Sequence, residues 1–333
     1  MKHMIKQTML TGALSCFLLG TALADNATNQ PEKPYWQDIQ VVAVNKEAPR
    51  SSFMTYGDRA TALSSQYEKS PFYSLLNGTW KFYFVDSYKD LPANITDPSV
   101  STSDWDDITV PGNWEVQGHG TAIYTNHGYE FKPRNPQPPL LPETNPVGVY
   151  RRDFEIPAGW DGREVYINFD GVSSFFYLWI NGRYVGFSKN SRNTASFNIT
   201  SYLNKGGGEN VVAVEVYRNS DGSHLETQDM FRLPGIFRSV SLTSTFKVQV
   251  RDLRVFPDLD ADYNHGTVRI ETDLRNLDRK TAKGYTLSFS LYANKLYSDE
   301  NTPVDGVKGV SALAALENGE TASVTTLLKV EQP

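Results

Sequence analysis

Beyond residue 50 the dominant hydrophobic period of the chain is two. Trp80, Phe82 and Phe84 alternate with Lys81 and Tyr83, and Val165, Ile167 and Phe169 alternate with Glu164, Tyr166 and Asn168. Successive side chains of a strand point to opposite faces, so this spacing predicts strands with one face buried. Residues 174–180 are apolar on both faces and run into Asn181-Gly182, a pair suited to the two positive φ angles of a type I′ turn, before residues 183–187 return. Residues 211–217 form another apolar strand. The preceding Lys205-Gly206-Gly207-Gly208 lies between β-type segments with no helix start after it, so it reads as a hairpin loop and not a phosphate cradle. Helical spacing is confined to residues 59–69. An all-β chain is expected.

A second strand-rich unit opens near Phe246. Val248, Val250, Leu253 and Val255 begin it, Val268, Ile270 and Leu274 come next, and Tyr285, Leu287, Phe289 and Leu291 alternate with Thr286, Ser288 and Ser290. Short strands at this spacing predict an antiparallel sandwich of immunoglobulin type. Only about five strands can be counted before the chain reaches Pro333, against seven for a closed sandwich, so the unit is expected to be incomplete, with an unpaired edge.

Ahead of these units, Lys2 and Lys6 precede an apolar stretch, 9–23, that ends in Ala22-Leu23-Ala24. This is the pattern of a secretory signal cut after Ala24; acylation at Cys16, the single cysteine, is the alternative. Either way a periplasmic or secreted chain would have to stand without disulfides. Residues 25–50 are polar and marked by Pro31, Pro34 and Pro49, an extension expected to run along the surface of the first strand-rich unit. The expected organisation is therefore 1–24 signal, 25–50 extension, 51–245 first sandwich and 246–333 second sandwich. A net charge of −6 without long blocks of like charge argues against nucleic acid or an anionic membrane as partner. No segment after residue 24 reaches the 18 apolar residues of a membrane-spanning helix.

Catalytic signatures are scarce. There is no G-x-S-x-G and no H-E-x-x-H. Ser244-Thr245-Phe246-Lys247 fits S-x-x-K by chance, in a junction without the accompanying motifs. His119, His127, His224 and His265 show no ligand spacing, and no pair of carboxylates can be singled out for glycoside chemistry.

Three ordered stretches are more particular than β propensity requires: Val110-Pro111-Gly112-Asn113-Trp114-Glu115 with Ile123-Tyr124-Thr125-Asn126; Phe169-Asp170-Gly171-Val172-Ser173-Ser174 continuing through Trp179-Ile180-Asn181-Gly182; and Ser220-Asp221-Gly222-Ser223-His224-Leu225-Glu226 with Gln228-Asp229-Met230 and Gly235-Ile236-Phe237-Arg238. In this order they resemble the amino-terminal half of β-galactosidases of glycoside hydrolase family 2, over about residues 36–333 and most strongly over 105–243. The resemblance implies a jelly-roll, galactose-binding-like sandwich followed by an immunoglobulin-like one. It further implies a (β/α)8 barrel with both catalytic carboxylates that this chain lacks, so no catalytic residue is expected within it, and the 333 residues alone are expected to be inactive.

The resemblance also implies that Asn126 and Asp221 contact a β-galactoside, and that Asp221 meets a sodium ion; sodium and magnesium are the cofactors it suggests for a complete enzyme, and a homo-oligomer is open. An amide offers a sugar hydroxyl both a donor and an acceptor, and a carboxylate accepts hydroxyl protons or a hard cation. On residues alone, Asp221-Gly222 is equally a turn, Asn126 equally a loop cap, and Trp114 a core residue as readily as a stacking platform. Glu226, Asp229 and Arg232 are expected to pair with each other or with the barrel. Asn219, His224 and Phe231 depart from the tryptophan, tyrosine and tryptophan usual in the family. A stand-alone carbohydrate-binding module and a β-glucuronidase or β-mannosidase relative are the rival functions.

Overall fold

A computed structural model describes residues 30–31, 34–131, 135–204, 206–226, 228–295, 298 and 300–331. The proposed signal segment and Cys16 lie outside them.

The first unit is a sandwich of a seven-stranded and a four-stranded antiparallel sheet. In the large sheet the order is Ala43–Val44, Arg183–Lys189, Phe175–Ile180, Asn210–Tyr217, Val147–Phe154, Gly78–Val85 and Asp106–Val110; in the small one it is Ala195–Asn198, Glu164–Phe169, Val240–Thr245 and Tyr73–Leu75. Between them lie the residues that the period of two turned inward, among them Trp80, Phe82, Val165, Ile167 and Phe169. Asn181 and Gly182, at φ 52° and 72°, make the anticipated tight turn.

The strand Phe175–Ile180 is apolar on both faces because it serves two cores. Phe176, Leu178 and Ile180 enter the sandwich, while Phe175, Tyr177 and Trp179 join a second cluster on the outer face of the large sheet. The amino-terminal extension supplies part of that cluster. It runs over the sheet with Tyr35 and Trp36 buried and Ile39 and Val42 left exposed: Tyr35 stacks on Phe187 at 4.6 Å, Trp36 on Tyr217 at 5.7 Å, and Ala43–Val44 pairs with Arg183–Lys189. Gly186 permits this pairing, because a Cβ there would collide with the Val44 carbonyl oxygen.

Two local expectations are corrected. The loop carrying Gly206-Gly207-Gly208 is a crossover between the sheets, since the strand before it, Ala195–Asn198, belongs to the small sheet and the strand after it, Asn210–Tyr217, to the large one. The helical stretch shrinks to an α-helix at Arg59–Leu63, capped by Asp58, and a 3-10 turn at Tyr67–Lys69.

The second unit pairs Val248–Leu259, His265–Asn276 and Thr321–Glu331 in one sheet and Thr286–Asn294 with Asn301–Ala312 in another, five strands around Ile270, Val307 and Leu328. It is joined to the first through Arg275, which donates to Glu47 at 3.0 Å and to the Tyr166 hydroxyl at 2.8 Å.

Candidate functional site

Between the strands Asp106–Val110 and Val147–Phe154 the chain leaves the large sheet in a long excursion. Its root is fixed by Trp114, fully buried against Phe82 and Phe84 at ring distances of 6.3 and 5.6 Å. Trp114 is thus a core residue and no sugar platform. Gly148 makes the room: a Cβ there would lie 2.5 Å from Phe82 and 2.7 Å from Trp114.

Farther out, Ile123–Thr125 pairs antiparallel with Met230–Arg232, Thr125 opposite Met230, so the segment holding Asn126 and the segment following Asp221 form one projecting ribbon. Arg218 clamps its base. The guanidinium donates to Glu130 at 2.8 Å, to Glu115 at 2.9 Å, to the Thr121 carbonyl at 3.1 Å and to the Arg232 carbonyl at 3.2 Å. Burial pushes the Glu115 carboxyl up to about 7 even with Arg218 beside it. Fully enclosed charges persist where paired and hydrogen-bonded, which is the arrangement here.

Asp221 opens a 3-10 turn, Asp221–His224, framed by a capping box between Ser220 and Ser223. Its carboxylate turns inward. Oδ2 accepts from the Lys189 ammonium at 2.7 Å, with both side chains nearly inaccessible, and the same ammonium donates to the Asp38 carbonyl at 2.8 Å. At the end of the turn His224 lies edge-on to Tyr129 and Phe131, at 4.9 and 5.4 Å, with Nε2 3.2 Å from the Leu140 carbonyl oxygen. This aromatic contact brings the loop after Asn126 against the loop after Asp221.

Asn126 faces the other way. It is exposed, next to a loop held by the Thr125 hydroxyl donating to the His127 carbonyl at 2.7 Å, and its amide makes no hydrogen bond to a described residue. The cleft between the two loops, lined by Tyr129, Phe131, Ser223, Glu226 and Arg232, measures about 40 Å³, room for only a few water molecules. These loops offer a rim with one outward amide, not an enclosing pocket.

The sodium expectation at Asp221 does not fit its surroundings. An ammonium already neutralises Oδ2, and no group of three or more Asp, Glu, His or Cys side chains placed to hold a metal ion is found among the described residues. No step is derived through a cation. The expected pairing of Glu226, Asp229 and Arg232 with one another is also corrected: the Glu226 carboxylate accepts from Ser191, Asp229 accepts from the Tyr124 hydroxyl, and Arg232 donates to the Glu226 main-chain carbonyl. Lys189 and Arg218, which hold the site together, carried no signal in the sequence, because a basic residue at a strand end ordinarily reads as solvated. The S-x-x-K serine, Ser244, is buried and accepts from Arg163 at 2.7 Å.

Residues 73–246 match the family described as "Glycosyl hydrolases family 2, sugar binding domain". Over 262 residues, 78% of this chain and 25% of the relative, the sequence is 39% identical to a β-galactosidase of Priestia megaterium; over 261 residues it is 38% identical to one of Psychromonas ingrahamii, covering 78% and 24%. The chain spans about a quarter of the length of these curated relatives. Among solved structures, a Bacteroides uniformis β-glucuronidase matches with a TM-score of 0.59 at 22% identity, covering 78% of this chain and 28% of that one, and a putative β-galactosidase of Bacteroides fragilis with 0.54 at 17%, covering 78% and 36%. At those identities the structural likeness speaks for the fold alone.

Proposed function

The chain belongs to glycoside hydrolase family 2, and on that premise we propose that it is the substrate-contacting amino-terminal part of an exported β-galactosidase that hydrolyses terminal non-reducing β-D-galactosides. One observation carries the reading: the ribbon built from Ile123–Thr125 and Met230–Arg232 presents Asn126 outward with its amide uncommitted, in a chain 39% identical to a protein named a β-galactosidase. A free amide on a rigid ribbon can donate to one sugar hydroxyl and accept from another without first breaking an internal bond.

Asp221 takes a different role in this reading. Bound to Lys189, it fixes the turn Asp221–His224, and through His224 it fixes the loop that follows Asn126. A sugar hydroxyl would meet only the outer edge of its carboxylate. The retaining mechanism of glycosidases needs two further carboxyl groups about 5–5.5 Å apart, one as nucleophile and one as acid and base. We assign neither to this chain, which contributes binding and orientation.

The reading is tested by complementation. The chain is mixed with the Priestia megaterium relative lacking its own matching amino-terminal quarter, and hydrolysis of a nitrophenyl β-galactoside and a nitrophenyl β-glucuronide is followed. Restored galactoside hydrolysis that requires the chain is expected; no restored activity, or activity on the glucuronide alone, overturns the proposal. Export is checked by sequencing the amino terminus of periplasmic protein, expected to begin at Asp25.

A further inference from the structure

A second cavity lies on the far side of the small sheet, away from the ribbon, and measures about 470 Å³. Its floor is set by the period of two. Val165, Ile167, Val240 and Leu242 point into the sandwich core, so the alternating Tyr166, Asn168, Ser241, Thr243 and Thr245 point outward. Ser196 and Tyr73, from the neighbouring strands, extend this polar floor.

An outward polar sheet face normally meets water. Here residues 46–55 pass over it as a strap. The Glu47 N–H donates to the Ser196 carbonyl at 2.8 Å, and the Glu47 carboxylate takes Arg275 at 3.0 Å and Arg251 at 3.3 Å. Farther along, the Ser51 N–H donates to Asp252 at 2.9 Å. Gln249, Arg251 and Arg275 of the second unit stand at one end, so three separate parts of the chain border the space.

The lining indicates what fits. Hydroxyls and side-chain amides dominate it, with the tyrosine rings Tyr67, Tyr73 and Tyr166 among them. Arg251 and Arg275 are both engaged by Glu47, Lys46 donates to the Ser188 hydroxyl and Arg50 to the Ser51 carbonyl, so each cation of the lining already has an internal partner. The volume falls within the ~300–1,000 Å³ of small-molecule sites. Ring hydroxyls match the amides and hydroxyls, and the apolar faces of a pyranose match tyrosine rings.

We propose that this cavity is a binding site for a neutral saccharide of one or two pyranose rings, held between the small sheet, the strap and the second unit. The proposal stands on the cavity alone and does not depend on the galactosidase reading.

The test uses the full chain with galactose, lactose, cellobiose and maltose, followed by saturation-transfer NMR and calorimetric titration. Saturable binding of at least one sugar at about 1 mM or tighter is expected. Ser52→Trp, on the exposed strap, fills the cavity from its roof and is expected to weaken binding at least tenfold while leaving the melting temperature in place. No saturable binding of any of the four sugars, or undiminished binding by folded Ser52→Trp, each overturns the proposal.

Discussion

The Lys189 ammonium sits 2.7 Å from Oδ2 of Asp221, both side chains closed to solvent, in a pair that joins the end of the strand Arg183–Lys189 to a turn 32 positions later in the chain. The same ammonium reaches back to the Asp38 carbonyl, so one cation ties the amino-terminal extension, the large sheet and the candidate sugar loop together.

Lys189→Met removes the cation and strands a buried carboxylate. A loss of about 3–5 kcal/mol in unfolding free energy is expected, since breaking a buried pair leaves an uncompensated charge. Adding Asp221→Leu should recover much of that loss. Urea titrations of both single variants and the double variant measure the coupling, and a double variant as unstable as Lys189→Met would contradict the pairing.

Asn126→Ala should behave in the opposite manner. The residue is exposed and its amide holds nothing internal, so stability should stay within about 0.5 kcal/mol of the parent. In the complementation assay kcat/KM for the galactoside should fall about tenfold, the value of one hydrogen bond near 1.4 kcal/mol. Unchanged kcat/KM would remove Asn126 from the substrate's contacts.

Gly186→Ala tests the seating of the amino-terminal extension. The added methyl meets the Val44 carbonyl oxygen, and overpacking of this kind costs about 1–3 kcal/mol. Limited proteolysis should then cut between residues 34 and 46 faster than in the parent, while the sandwich core stays resistant. Equal cleavage rates would show that the extension is held by something other than this pairing.

The acid Glu215 sets a pH dependence. It lies on the outer face of the large sheet, opposite Tyr177 and Val149 on the adjoining strands, and accepts from the Tyr217 hydroxyl at 3.4 Å. Burial pushes its carboxyl up to about 7 from an ordinary 4.5. The folded chain therefore holds a proton that the unfolded chain releases between those values, so stability falls as pH rises from about 4.5 to 7 and levels off above. Glu115, raised for the same reason, adds to the slope. Melting temperatures at pH 5, 6, 7 and 8 should show a shallower decline for Glu215→Gln than for the parent, and an identical decline would exclude Glu215 as its source.

Much of the fold was legible because a strand writes its burial locally. Val165, Ile167 and Phe169 announce an inward face by spacing alone, and Asn181-Gly182 announces its turn by backbone permissiveness. The doubly apolar run 174–180 announced burial on both sides, though not that Tyr35 and Trp36 would provide one of them. Asn126 and Asp221 could be named from their motifs, yet identical reasoning sent both outward, and only one is exposed.

What the sequence determined by itself, then, was the all-β character, the two sandwiches and the loops that rise from the first. Tertiary structure decided which sheet each strand joined, so that Gly206-Gly207-Gly208 became a crossover; which cation met Asp221; and how a strap and a second unit bordered the polar face beginning at Tyr166 and Asn168. The physical reason is range. Periodicity and turn propensity act over a few residues, whereas a buried ion pair or a cavity depends on groups tens to hundreds of positions apart, whose meeting no local pattern encodes.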